Sequence, residues 1–203
     1  MKILLVTQQN HTGLTYHRQL IPHLNLERNH IGNYDVIPCH DINKVSDEEL
    51  KEYQIVSFLR LVSEKFESKK IIDRCKKLGC KVIIDIDDYW HLHPTHELYL
   101  KYKEHKIAEQ TLEGLINADY VTTTTNHFAD KIREYNKNVV VLPNSIDKNE
   151  PQFKAELKQS DRLRFGWIGG VYHTHDVRLM YEGIKDVFKT VNNDKFQFCL
   201  GGF

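Results

Sequence analysis

Short runs of Ile, Val and Leu alternate along this chain with longer stretches in which apolar residues recur every three or four positions. The runs fall at Lys2–Val6, residues 34–38, residues 54–58, Lys81–Asp85, residues 120–124 and residues 139–142. Several are continuously apolar rather than alternating, which predicts strands buried on both faces, as in a parallel sheet. Between them, residues 63–78 gather Phe66, Ile71, Ile72, Cys75 and Leu78 on one helical face, with lysines around the rest. Gly79 follows, where a left-handed helix terminus is wanted. A second helix is predicted over residues 97–117, and a shorter one over residues 126–135 with Asn126 as its N-cap. The alternation predicts an α/β fold, a Rossmann-like parallel sheet with helices on both faces.

The pattern changes after Val139-Val140-Val141-Leu142. A Pro143-Asn144 turn leads into a polar stretch, and a new strand, Arg164-Phe165-Gly166-Trp167-Ile168, ends in Gly169-Gly170. A helix near residues 176–190 and a strand at 196–200 follow. The expected division is a first domain over residues 1–147, a linker over 148–161, and the opening β-α-β of a second Rossmann-like domain over 162–203. Two strands and one helix leave a sheet edge and an apolar face uncovered. The sequence is therefore expected to hold an incomplete second domain; the alternative is that these strands pack back on the first sheet.

Composition narrows the chemistry. The 28 basic and 28 acidic residues balance, so nothing drives non-specific attraction to nucleic acid. Twelve histidines make the net charge sensitive to mildly acidic pH. Cys39, Cys75, Cys80 and Cys199 show neither CxxC spacing nor the density of a disulfide framework, which points to reduced thiols and a cytoplasmic protein. The apolar run Ile3-Leu4-Leu5-Val6 is too short for a signal-peptide core, and no stretch reaches the length of a membrane span. Lys65, Lys69, Lys70, Arg74, Lys76 and Lys77 make one helix locally basic. A solvated face is the commoner meaning; peripheral contact with anionic lipid at the inner face of a membrane is the alternative.

Two segments carry candidate chemistry, both just past strand ends, where an open α/β sheet presents its ligands. The first runs from Thr7 to Arg18: Gly13 permits close backbone approach, and Tyr16, His17 and Arg18 project from the first helical turn. It lacks a GxGxxG fingerprint, which argues against a dinucleotide site. The second is Asp85-Ile86-Asp87-Asp88-Tyr89-Trp90-His91. Three carboxylates in four residues repel one another and call for a cationic, metal or hydroxyl partner. A plain scaffold role, capping helices or pairing with lysines, is the competing reading. A metal set from His91, His93 and His96 is disfavoured by irregular spacing and by Pro94. The Asp-x-Asp pair of haloacid-dehalogenase-like phosphatases is disfavoured because Tyr89 stands where those enzymes place Thr or Val, and because their motif sits on the first strand.

The succession "V-V-V-L-P-N-S-I-D", polar linker, "F-G-W-I-G-G" resembles the domain junction of nucleotide-sugar-dependent glycosyltransferases of the two-Rossmann-domain (GT-B) type. "D-I-D-D-Y-W" resembles a variant found in polysaccharide-building members, although many relatives end the equivalent strand in His-Asp. The resemblance implies transfer of a sugar from a nucleotide-sugar, a donor substrate rather than a cofactor, to a glycan, lipid-linked or other hydroxyl acceptor. It implies no catalytic metal. Asp87, Asp88 and His91 are then the catalytic candidates, and Gly13, Tyr16, His17, Arg18, Asp85 and Trp90 the substrate-binding ones. Gly169, Gly170 and His173 would face the donor. The family's later Glu-x7-Glu element and basic pair have no counterpart before Phe203, so this chain alone is expected to be inactive. From a different class, a non-catalytic carbohydrate- or partner-binding module on the same fold explains the same residues.

Overall fold

A computed structural model describes residues 1–7, 13–37, 41–63, 67–154, 159–170, 173–191 and 193–202. The chain divides into two compact units, the first formed by Met1–Pro94 with Leu98–Asn149 and the second carried by Glu150–Phe203.

The first unit is built on six parallel strands in the order β2-β1-β3-β4-β5-β6. They are β1 (Lys2–Val6), β2 (Asn33–Ile37), β3 (Ile55–Leu59), β4 (Lys81–Asp85), β5 (Tyr120–Thr123) and β6 (Val139–Val141). The expected strands match these within one residue at either end; Pro38, expected to close the second, lies outside the described residues.

Side chains alternate across the sheet. Leu4, Val6, Val56, Phe58, Val82, Ile84 and Val121 share one core cluster with Ile71, Ile72 and Cys75 of α4 (Ser68–Lys77) and Leu115 of α6 (Ile107–Asn117). Each such large apolar side chain contributes roughly 1.5–3 kcal/mol by leaving water. A Cβ on Gly114 would stand 2.9 Å from the Ile84 Cδ1, so α6 lies against the sheet at a point where no other residue fits without displacement. On the opposite face, Ser57 and Asp85 meet the segment made of α1 (Gly13–Thr15), a π-helical turn (Tyr16–Leu20) and α2 (Ile21–Arg28). The sheet therefore has helices on both faces.

Three helical expectations change. The long helix over 97–117 is two, α5 (Tyr99–Glu104) and α6, because Lys106 takes a left-handed backbone with φ 48° and breaks the ladder. The helix α7 (Asn126–Ile132) is capped by Thr125 rather than Asn126: the Thr125 hydroxyl accepts from the Phe128 N–H at 3.2 Å. The apolar face of α4 holds Ile71, Ile72 and Cys75, while Lys65 and Phe66 lie outside the described residues. Gly79 closes α4 with φ 94°, the conformation for which glycine was expected.

The second unit pairs β7 (Leu163–Ile168) with β8 (Phe196–Gly201), parallel and in register, joined through α8 (Thr174–Thr190). Phe165 stacks on Phe188 of α8 and meets Phe198 edge-on, which fixes the helix to that face of the pair. Leu163, Ile168, Leu179 and Leu200 remain exposed.

Candidate functional site

All six strands of the first sheet run the same way, so their carboxyl ends meet at one edge, and the strand order reverses between β1 and β3. Such a reversal leaves a crevice between loops that depart to opposite faces. Val6 lies beside Phe58, Leu59 beside Asp85, and Asp85 beside Thr122, so the segments that follow each strand converge there.

Arg18 comes to this edge from the π-helical turn, a wider i→i+5 winding that is often found at functional positions. Its Nε and Nη2 donate to the two carboxylate oxygens of Asp85 at 2.9 and 2.6 Å, a bidentate fork. Its Nη1 donates to the Leu142 carbonyl at 2.6 Å and to the Asn144 Oδ1 at 3.2 Å. Thr122 adds its hydroxyl to the Asp85 Oδ2 at 2.5 Å. Both charged side chains are 5% exposed. Arg18 thus ties the segment after β1 to the end of β4 and to the segment after β6, and Asp85 carries the link on to Thr122 of β5.

A second arginine, which no sequence pattern marked, follows β3. Arg60 adopts φ 62°, a left-handed conformation uncommon for a residue with a long side chain. Its backbone N–H donates to the Asp85 carbonyl at 2.8 Å, and that bond holds the turn. Its Nε donates to the Asp87 Oδ1 at 2.9 Å and its Nη2 to Asp88. Burial works against the Arg60 charge, but Asp87 and Asp88 more than offset it, and the guanidinium pKa is raised. Burial also dominates at Asp87 and pushes its pKa up from the ordinary carboxylate value despite the opposing pull of Arg60. The three clustered carboxylates accordingly have the cationic and hydroxyl partners that their mutual repulsion requires: Arg18 and Thr122 for Asp85, Arg60 for Asp87 and Asp88.

An open cavity of about 550 Å³ lies at this edge, lined by Gly13, Leu14, His17, Arg18, Arg60, Asp87, Asn144, Ser145 and Ile146. Of the residues expected from sequence, Gly13, His17, Arg18 and Asp87 line it together. Asp85 instead lines a neighbouring cavity of about 320 Å³ with Gln19, His23, Ser57 and Leu142. Burial lowers the His23 pKa, although its Nδ1 contacts the Gln19 carbonyl at 2.7 Å.

The other candidates stand apart from the larger cavity. Tyr16 meets His17 edge-on and is not in the lining. Asp88 is exposed and reaches the site only through Arg60. Trp90 is buried in the core against Phe128 and Tyr135, so its faces serve packing rather than the cavity. His91 is exposed beside Tyr89 and Trp90. Residues 8–12 of the first loop lie outside the described residues.

In the second unit, Gly169 leaves β7 with its N–H donating to the Gly201 carbonyl at 3.1 Å. A Cβ on Gly169 would fall 2.1 Å from the Trp167 ring, which excludes a larger residue there unless the indole moves. Gly170 has open space around it, and His173 precedes α8, exposed, with its Nδ1 2.8 Å from the Asp176 Oδ2. Val171 and Tyr172 lie outside the described residues, as does the side chain of His175.

Much of the basic face of α4 is engaged locally. Lys69 pairs with Asp73, Arg74 with Asp47 and two backbone carbonyls, and Lys76 with the Asn117 carbonyl. Among the described residues no three His, Cys, Asp or Glu side chains come together as metal ligands, and no helix is long and apolar enough to cross a membrane. Compared with models of known protein families the sequence matches none, and comparison with curated proteins likewise gives no match.

Proposed function

We propose that the first unit is the acceptor-side half of a nucleotide-sugar-dependent glycosyltransferase of the GT-B type, with the acceptor hydroxyl held in the 550 Å³ cavity. The observation that carries this reading is Asp87. Its Oδ1 is fixed by Arg60, its Oδ2 makes no bond to another of the described residues, it lines the cavity, and burial raises its proton affinity. That is the combination a general base needs, because a base works best when its pKa moves toward the operating pH. In the proposed reaction the acceptor oxygen attacks the anomeric carbon, the bond from that carbon to the nucleoside diphosphate breaks, and the acceptor proton passes to Asp87. Arg18 and Arg60 hold the surrounding segments in place so that attack needs little reorganisation. The donor would lie at the Gly169-Gly170 turn and the start of α8, where the absence of side chains and a helix N-terminus suit a diphosphate.

A non-catalytic carbohydrate-binding module is favoured by one specific observation: each of the three carboxylates is paired with an arginine, as a purely structural network would have it. Transfer assays on the gene's full-length product separate the two. With a panel of nucleotide-sugars and glycoside acceptors, product detected by mass spectrometry and lost in Asp87→Asn with little change in melting temperature supports the enzyme. Binding of glycosides with no turnover in any combination supports the module.

A further inference from the structure

We infer that the larger cavity selects an uncharged ligand through two hydroxyls on neighbouring carbons, and that Arg60 with Asp87 forms the reader of that pair. This rests on the proposal that the cavity receives the sugar acceptor and names which chemical feature of the acceptor is read.

A guanidinium carries five N–H donors, shared between the Nε–Nη2 side and the Nη1 group. Arg18 spends both, the first on Asp85 and the second on Leu142 and Asn144. Arg60 spends only the first, on Asp87 and Asp88; its Nη1 makes no hydrogen bond among the described residues. Asp87 likewise uses one oxygen on Arg60, and among the described residues its carboxylate otherwise meets only its own backbone N–H. A side-chain pair lining one cavity therefore offers one spare charged donor and one spare charged acceptor. Adjacent ring hydroxyls are the complement: one donates its proton to the carboxylate, and the other accepts from the guanidinium.

Charge selects against ionic ligands. The Arg60 charge is already balanced by Asp87 and Asp88, and that of Arg18 by Asp85. An anion placed here meets the Asp87 carboxylate, and a cation meets the two guanidinium groups; like-charge juxtaposition is costly in either case. Leu14 and Ile146 supply apolar wall for the C–H face of a ring, and about 550 Å³ is within the ordinary range of small-molecule pockets, roughly 300–1,000 Å³. The backbone of Arg60 gives independent support. A left-handed arginine is a strained backbone, and such strain concentrates at ligand clamps.

The test is binding, read apart from transfer. The purified chain is titrated by ligand-observed NMR with methyl α-D-mannopyranoside, each of its monodeoxy analogues, and methyl α-D-glucuronide. The expected result is that single removal of either hydroxyl of one neighbouring pair weakens binding about 10- to 100-fold, as loss of a charge-assisted hydrogen bond should. The glucuronide is expected to bind more weakly than the neutral sugar. Arg60→Asn, which keeps a residue tolerant of the left-handed backbone, should abolish the discrimination between parent and deoxy sugars. The double variant Arg60→Asn/Asp87→Asn should do the same without leaving the half-buried Asp87 carboxylate unpaired; only the exposed Asp88 loses its partner. Equal binding of all monodeoxy sugars, stronger binding of the glucuronide, or no binding of any glycoside would overturn the inference. Transfer activity without the hydroxyl discrimination would sink this inference and leave the enzymatic reading standing; discrimination without transfer would do the reverse.

Discussion

Arg18 and Arg60 stand at the same sheet edge, each facing aspartates of one short segment, yet they are built for different ends. Arg18 is 5% exposed, forks onto an equally buried Asp85, and uses its remaining edge on the segment that follows β6. Arg60 is 26% exposed, divides its fork between Asp87 and the exposed Asp88, sits on a strained backbone and has one edge unspent. On the proposed reading, the difference separates a scaffold pair from a site pair by how completely each uses its hydrogen-bonding capacity. Saturation and burial mark the first; partial saturation, intermediate burial and backbone strain mark the second.

The sharpest way to break that contrast is to remove each arginine and compare the damage. Arg18→Ala leaves Asp85 buried without its cation, and we expect a loss of about 3–5 kcal/mol in urea unfolding, close to the whole stability of a modest domain. A melting curve like that of the wild type would show that Arg18 is not the scaffold partner. On the proposed reading, Asp87→Asn should show the opposite signature: transfer activity falls about 10²–10⁴-fold, as for loss of a general base, while the melting temperature shifts little. A proportionate fall in both would move Asp87 to the scaffold side. Asp88→Asn should cost no more than about 1 kcal/mol and less at high salt, because its partner bond is solvent-exposed.

The smallest effect is a slope in stability with pH. Burial raises the Asp87 pKa in the folded state above its unfolded value, so in the interval between the two the folded chain binds more protons. Stability from this group is therefore greatest at low pH and is lost as pH rises through the folded pKa. Relative to wild type, Asp87→Asn should become progressively more favourable as pH increases across that interval. His23 slopes the other way. Its folded pKa is lowered from 6.5, so its contribution is present above that value and is lost as pH falls toward the folded pKa. Urea midpoints for wild type, Asp87→Asn and His23→Gln across mildly acidic to neutral pH would separate the two slopes.

The fold was largely legible because its strands are buried on both faces and announce themselves as continuous apolar runs; β1 and β4 begin and end where those runs do. The helix that proved to be two was not, because Lys106 in a left-handed conformation bears no sequence mark of a break. Of the site, Gly13, His17, Arg18 and Asp87 were legible from their place after strands. Trp90 was drawn toward the site by its neighbours in sequence, whereas packing against Phe128 and Tyr135 takes it into the core. Arg60 was missed for a physical reason: a lone arginine after Ser57-Phe58-Leu59 has no local pattern, and its partners are 27 and 28 residues away. The signal present was the unexplained cluster of three carboxylates, which implied a cation without naming it.

The π-helical turn at Tyr16–Leu20 bears on how this chain tolerates change in length. A helix wound i→i+5 accommodates one residue more per turn than an α-helix would, and each residue in a regular helix advances the winding by about 100°. Losing a single residue from this turn would let the ladder close into an ordinary α-helix, with its hydrogen bonds conserved in number. Gly13 and Leu14 would then be rotated by about a quarter turn relative to α2, and Arg18 could no longer meet both Asp85 and Leu142. A one-residue gap here, neutral by the measure of helix propensity, would part the segment after β1 from the end of β4 and from the segment after β6 at once.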